Sequence, residues 1–114
     1  MKIAGVGVDI VEVSRIKKVI ENNQKFLKRI FSEEEIEYCQ QKKKKYVHFA
    51  VRFAAKEAIW KALNGGVSFK EIKIINDISG QPKVILQDGL SNINIQISLS
   101  HSDKYAVAYA LAIK

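Results

Sequence analysis

The chain has 114 residues, 47% hydrophobic and 9% aromatic, the size and composition of one globular domain with a real core and not of a disordered segment. A single cysteine, Cys39, excludes an internal disulfide and a cysteine-built metal cluster and fits a reducing cytoplasm. The apolar run before Asp9 is too short for a signal peptide, and no stretch approaches the ~18 apolar residues of a membrane span. A formal charge of +7, from 19 Lys and Arg against 12 Asp and Glu, favours an anionic partner: nucleic acid, a polyphosphate ligand or an acidic protein.

Residues 3 to 11 alternate small and β-branched side chains and predict a buried strand, with Asp9 its one charge. Gly5 and Gly7 weaken β-propensity, so they mark close approach of another backbone or a ligand. Residues 12 to 22 predict a basic amphipathic helix, with Val13, Ile16, Val19 and Ile20 inward and Arg15, Lys17 and Lys18 outward. Asn22-Asn23 break it, and Phe26 to Phe31 form a short second helix. Ser32 with Glu35 is a capping-box pattern that opens a third helix, Glu33 to about Gln41. The run Lys42 to Lys45 reads as a solvated turn or helix end, and only weakly as a nucleic-acid patch.

The central helix is expected from about Val47 to Leu63, rich in Ala, Leu, Lys and Glu, and stopped at Asn64-Gly65-Gly66. On a helical wheel Val51, Ala54, Ala55, Ala58 and Ala62 form one small-residue stripe, and Phe53 and Trp60 a second on nearly the opposite side. Glu57 and Lys61 fall between them, either as a solvated i,i+4 ion pair or as charges in a crevice. Beyond the helix, Phe69 to Ile75 reads as a strand, Asp77 to Pro82 as turn chemistry, Val84 to Leu86 as the return strand, and Asp88-Gly89-Leu90 as another turn. Ile93, Ile95, Ile97 and Leu99 alternate with polar residues as a half-exposed strand, and Tyr105 to Ile113 make the last one. One strand, helices and a four-strand block give a single α+β domain, with an antiparallel sheet packed on a long central helix and shorter N-terminal helices.

Several chemistries are excluded on spacing. Gly65-Gly66 is not followed by Lys as in a phosphate-binding loop, Gly5-x-Gly7 lacks the third glycine of a dinucleotide fold, and Ser100-His101 lies in no G-x-S-x-G elbow. What remains is Asp9, Glu57 with Lys61, and the serine-flanked His101. Mg2+ takes one or two carboxylates plus phosphate and water, so Asp9 and Glu57 would hold it if they converge, with Lys61 one turn on facing a phosphate. Each has a plainer reading: Asp9 as a helix cap, His101 as a turn histidine.

Taken together and in order, Gly5-x-Gly7-x-Asp9-Ile10 with Arg15-Ile16, then Arg52-Phe53-Ala54-Ala55-Lys56-Glu57-Ala58-x-x-Lys61-Ala62-Leu63, Gly80-Gln81-Pro82, and Ser98-Leu99-Ser100-His101 resemble the holo-[acyl-carrier-protein] synthase family, the small bacterial 4′-phosphopantetheinyl transferases. The resemblance spans essentially the whole chain. It implies Mg2+-dependent transfer of phosphopantetheine from coenzyme A to a serine of acyl carrier protein, leaving 3′,5′-ADP. It places the metal carboxylates on Asp9 and Glu57, the phosphate-facing lysine on Lys61, coenzyme A contacts on His101 and Arg52, and carrier-protein contact on Arg15. It leaves open whether Glu57 or water takes the serine proton. It also implies a homotrimer with sites at subunit interfaces, which suits a helix apolar on two sides, and neither nucleic acid nor membrane as a partner. The Asn64 to Ser68 loop is several residues shorter than is usual in the family. The rival expectation is a small basic nucleic-acid-binding module using Lys42 to Lys45 and the first helix.

Overall fold

The computed structural model describes residues 1–87, 89–90 and 92–114. Strand β1 (Ile3–Glu12) leads into three short helices, α1 (Val13–Asn22), α2 (Gln24–Ile30) and α3 (Glu33–Gln40), and then the long α4 (Lys45–Ala62). A 3-10 turn at Phe69–Glu71 precedes β2 (Ile72–Asn76) and β3 (Pro82–Leu86), and the chain closes with β4 (Asn94–His101) and β5 (Tyr105–Ile113). The expected turn at Asp88-Gly89-Leu90 lies partly outside the described residues.

The four C-terminal strands are not one block. β1, β5 and β4 make a three-stranded antiparallel sheet in that order, while β2 and β3 form a separate hairpin. Phe69 to Glu71, expected as strand, are helical instead, because the Ser68 and Glu71 side chains cap one another's backbone and wind the segment before pairing can start.

The three-stranded sheet lies on α4 through small residues. Ala106, Ala108, Ala110 and Ala112 of β5 are all buried, and so are Ala54, Ala55, Ala58 and Ala62 of the helix. The approach is closest at β1. A Cβ on Gly5 would run into the carbonyl of Ala62, and one on Gly7 into the carbonyl of Ala58. The glycines therefore mark backbone-to-backbone contact, as their weak β-propensity suggested.

The opposite face of that sheet is bare. Val6, Val8 and Ile10 are 55%, 58% and 62% exposed, and Tyr105 and Tyr109 lie beside them on β5. β1 is thus an edge strand buried on one face only, where a strand buried on both was expected. Its apolar outer residues sit at alternate positions from the Gly5-Gly7-Asp9 row that meets the helix.

The second face of α4 also departs from expectation. Phe53 packs between Phe26 and Phe69, with ring centroids 5.9 and 5.8 Å away, but Trp60 is 42% exposed. The buried second stripe is Phe49, Arg52, Lys56 and Ile59. Two of these are cations, and Lys56 is fully buried. Its ammonium donates to Glu35 Oε1 at 2.7 Å and to the carbonyls of Ile30 and Phe69, each at 2.9 Å. Glu35 closes the expected capping box with Ser32 and also accepts from the backbone N–H of Ile74 at 2.9 Å. One buried ion pair thus ties α2, α3, α4 and the β2–β3 hairpin together.

Candidate active site

Asp9 owes its position to the two glycines before it. Gly5, Gly7 and Asp9 share the face of β1 that meets α4, and the strand runs antiparallel to the helix, Gly5 over Ala62 and Gly7 over Ala58. The next residue on that face arrives beside the turn of α4 that carries Glu57. The Lys61 ammonium donates to Asp9 Oδ1 at 3.2 Å and to the Val8 carbonyl at 3.0 Å. Asp9 Oδ2 is buried with no hydrogen-bond partner. The Glu57 carboxyl is pushed above its ordinary range, first by partial burial and then by the neighbouring Asp9 carboxylate, with Lys61 opposing. Among the described residues Lys61 pairs with Asp9 and makes no i,i+4 ion pair with Glu57.

Asp9 and Glu57 line a cleft of ≈ 510 Å3 that also presents Glu12 and Arg15, with walls that include Val19, Phe26 and Phe53. The donor chemistry fits Mg2+: two hard carboxylate oxygens, one of them desolvated and unpaired. Among the described residues no third Asp, Glu, His or Cys joins them, which leaves the remaining positions to phosphate and water.

Arg52 and His101 lie elsewhere. Both line a second cleft of ≈ 580 Å3 between α4, the hairpin and β4, and among the described residues none lines both clefts. Within one chain, then, the expected site residues form two groups: Asp9, Glu57, Lys61 and Arg15 on one side, Arg52 and His101 on the other. Arg52 is buried, donates to Asn76 Oδ1, stacks on the Tyr38 ring at 4.2 Å, and leaves its Nε without a partner. Asn76 in turn donates to the Gly80 carbonyl at 2.9 Å, so the Gly80-Gln81-Pro82 turn is fastened to α4. His101 ends β4, exposed, where the hairpin to β5 begins. Sequence reasoning missed His48, Asn76 and Lys83, which share this cleft. His48 sits four residues before Arg52, and that i,i+4 spacing was the one available signal.

Lys42 and Lys43 are exposed in the turn before α4, and Lys44 pairs with Asp103 at 2.8 Å, so the lysine run is a solvated helix approach. Among the described residues no helix is long and apolar enough to cross a membrane.

A long helix laid on a small-residue sheet, with a strand-end aspartate facing a helix glutamate and lysine, defines a class, and the family profile described as the 4′-phosphopantetheinyl transferase superfamily matches residues 5–110. The chain belongs to that family. Among curated relatives it is 46% identical over 118 aligned positions to the holo-[acyl-carrier-protein] synthase of Thermoanaerobacter sp. (strain X514), covering 95% of this chain and 86% of the relative. Among solved structures it is similar to the holo-[acyl-carrier-protein] synthase of Neisseria meningitidis, with a TM-score of 0.89, 34% identity and coverage of 99% and 100% of the two chains. It is also similar to the Bacillus anthracis synthase in complex with CoA (3′,5′-ADP), with a TM-score of 0.84, 35% identity and coverage of 96% of each chain.

Proposed function

We propose that this chain transfers the 4′-phosphopantetheine group of coenzyme A to a serine of apo acyl carrier protein, as a Mg2+-dependent cytoplasmic homotrimer serving fatty acid biosynthesis. The observation that carries the reading is the desolvated, half-paired Asp9 carboxylate held next to Glu57 and Lys61. Relatives at 46% and 45% identity named for this activity, one from Chloroherpeton thalassium, support the substrate pair.

In the reaction the carrier serine Oγ forms a bond to the phosphorus that bears pantetheine, and the pyrophosphate P–O bond breaks to release 3′,5′-ADP. Asp9 and Glu57 would hold Mg2+, which when bound supplies charge neutralisation at the phosphates. The Lys61 ammonium, half exposed, neutralises charge on the phosphate oxygens or on departing ADP. Arg52 and His101 bind coenzyme A phosphates in the second cleft. Arg15 and the other exposed cations of α1 meet the acidic carrier, since complementary charge speeds encounter. Glu57, as a carboxylate of raised pKa beside the attacking group, is suited to receive the serine proton.

Two features support a site shared between subunits. The outer face of the sheet exposes Val6, Val8, Ile10 and Tyr109 together, an apolar patch of the kind that protein contacts cover. The two clefts are also separate within one chain, so a neighbouring subunit that brings its Arg52–His101 cleft to the Asp9–Glu57 group would complete the site. Incubation with coenzyme A, Mg2+ and apo acyl carrier protein should add one phosphopantetheine mass to the carrier, and Asp9→Ala or Glu57→Ala should abolish the gain. A folded wild-type protein that adds no mass would refute the reading.

A further inference from the structure

The second cleft has an unusual charge inventory. Its lining holds Arg52, Lys83, His101 and His48, and among the described residues not one aspartate or glutamate. Cations also gather on Tyr38 of α3, with the Arg52 guanidinium 4.2 Å and the Lys42 ammonium 4.6 Å from its ring centroid. His48 meets the same ring edge to face at 6.1 Å and 78°. The groups that act on His48 are cations or a neutral ring: Tyr38 from α3, Lys42 from the following turn, Arg52 from α4 and His101 from β4, with Lys83 of β3 lining the same cleft. The nearby carboxylates are engaged elsewhere, Glu35 with Lys56 and Asp103 with Lys44.

Like charges held this close repel, and the repulsion is relieved when an anion enters. Guanidinium and ammonium groups ordinarily carry their charge throughout the neutral range. A histidine does not, because its ordinary pKa lies close to neutrality. His48 is half buried with no hydrogen-bond partner among the described contacts, and its pKa is held low, first by burial and then by Arg52, Lys42 and His101. Without an anion in the cleft the neutral imidazole is the form these neighbours favour. A phosphate placed among these cations reverses the sign of the local field and makes imidazolium the favoured form.

We propose that His48 is a further phosphate-binding residue of this cleft, and that coenzyme A binding takes up a proton on its ring. The inference rests on the assignment of the cleft to coenzyme A phosphates and adds to it a residue and a pH dependence. The proton comes from solvent and returns to it when 3′,5′-ADP leaves, so no co-reactant is needed. The dianionic phosphate thus meets one more charge than the empty cleft carries.

Calorimetric titration of the full chain with coenzyme A and Mg2+, in buffers of different ionisation heat, counts the protons exchanged on binding. Wild-type protein should take up measurably more protons per coenzyme A than His48→Gln. Near neutral pH, His48→Gln should bind about tenfold more weakly, the effect of one charge-assisted hydrogen bond. His48→Arg, with a fixed charge, should show the same loss of proton uptake but without the loss of affinity, and it serves if the glutamine variant is poorly folded. Equal proton uptake by wild type and both variants would overturn the role of His48 while leaving the cleft assignment in place. Wild-type protein that binds no coenzyme A would overturn the cleft assignment, and this inference with it.

Discussion

Removing the Lys56 ammonium from its buried socket tests the deepest packing feature of the fold. In Lys56→Met the chain keeps its volume and loses three donated hydrogen bonds: the Glu35 carboxylate at 2.7 Å and the carbonyls of Ile30 and Phe69 at 2.9 Å. Glu35 keeps the Ser32 and Ile74 amides but is left fully buried without its cation. Breaking a buried pair from one side costs about 3–5 kcal/mol, since an uncompensated charge stays behind. With an unfolding entropy of about 2.1 cal/mol/K per residue, the melting temperature should fall by about 12–20 °C. Thermal unfolding followed by circular dichroism measures it, at one fixed protein concentration so that the proposed assembly would contribute equally to each variant. Glu35→Gln should show a similar direction and a smaller loss, because the amide still accepts from Lys56. In Glu35→Met with Lys56→Met, the combined loss should be well under the sum of the two single losses. A Lys56→Met protein that melts within about 2 °C of wild type would refute the reasoning, because no buried partner of this kind can be lost so cheaply.

Four other outcomes are expected. The raised Glu57 pKa means that the ionised carboxylate costs the metal-free protein stability, a cost present at neutral pH and relieved as pH falls through the raised value; Glu57→Gln should melt higher than wild type without Mg2+ at neutral pH and gain nothing when Mg2+ is added. For the same reason the Mg2+ concentration that gives half-maximal transfer should rise as pH falls below neutrality in wild type, and a flat profile would separate Glu57 from the metal. Gly7→Ala drives a methyl into the Ala58 carbonyl with backbone on both sides, so it should cost about 3 kcal/mol or more and be visible as a lowered urea midpoint. Under the proposed trimeric assembly, Val8→Glu places a charge in the apolar face that a neighbouring subunit would cover, and sedimentation should show monomer with the far-ultraviolet spectrum retained.

The parts of the molecule that local chemistry dictates were legible in the chain. Ser32 and Glu35 announced a capping box, Asn64-Gly65-Gly66 a helix end, now seen with all three residues at positive φ, and Gly5 and Gly7 a backbone contact. The convergence of Asp9 on Glu57 could be posed as a condition but not read, because it depends on how β1 lies along α4. Arg52 was expected as a coenzyme A contact and Lys56 drew no reading of its own; neither was expected in the core, since the groups that make burial tolerable are remote: Glu35 lies 21 residues from Lys56 and Asn76 24 residues from Arg52. The bare outer face of β1 was misjudged for a related reason. An alternation of Val and Ile with glycine says that both faces avoid water and does not say whether the same chain covers them. Pairing order was likewise invisible, so one four-strand block became a sheet completed by β1 and a separate hairpin.

The contact of Gly5 and Gly7 with the carbonyls of α4 has a consequence for anyone wishing to alter cation preference. The spacing of Asp9 from Glu57 is fixed by main chain pressed on main chain, with no side chain between to trim or lengthen. Exchanging the carboxylates would vary the donors and leave the gauge of the gap untouched. At the proposed metal site, a change of ion size would therefore have to come from the strand–helix contact at Gly5 and Gly7, where an added methyl meets backbone and costs stability.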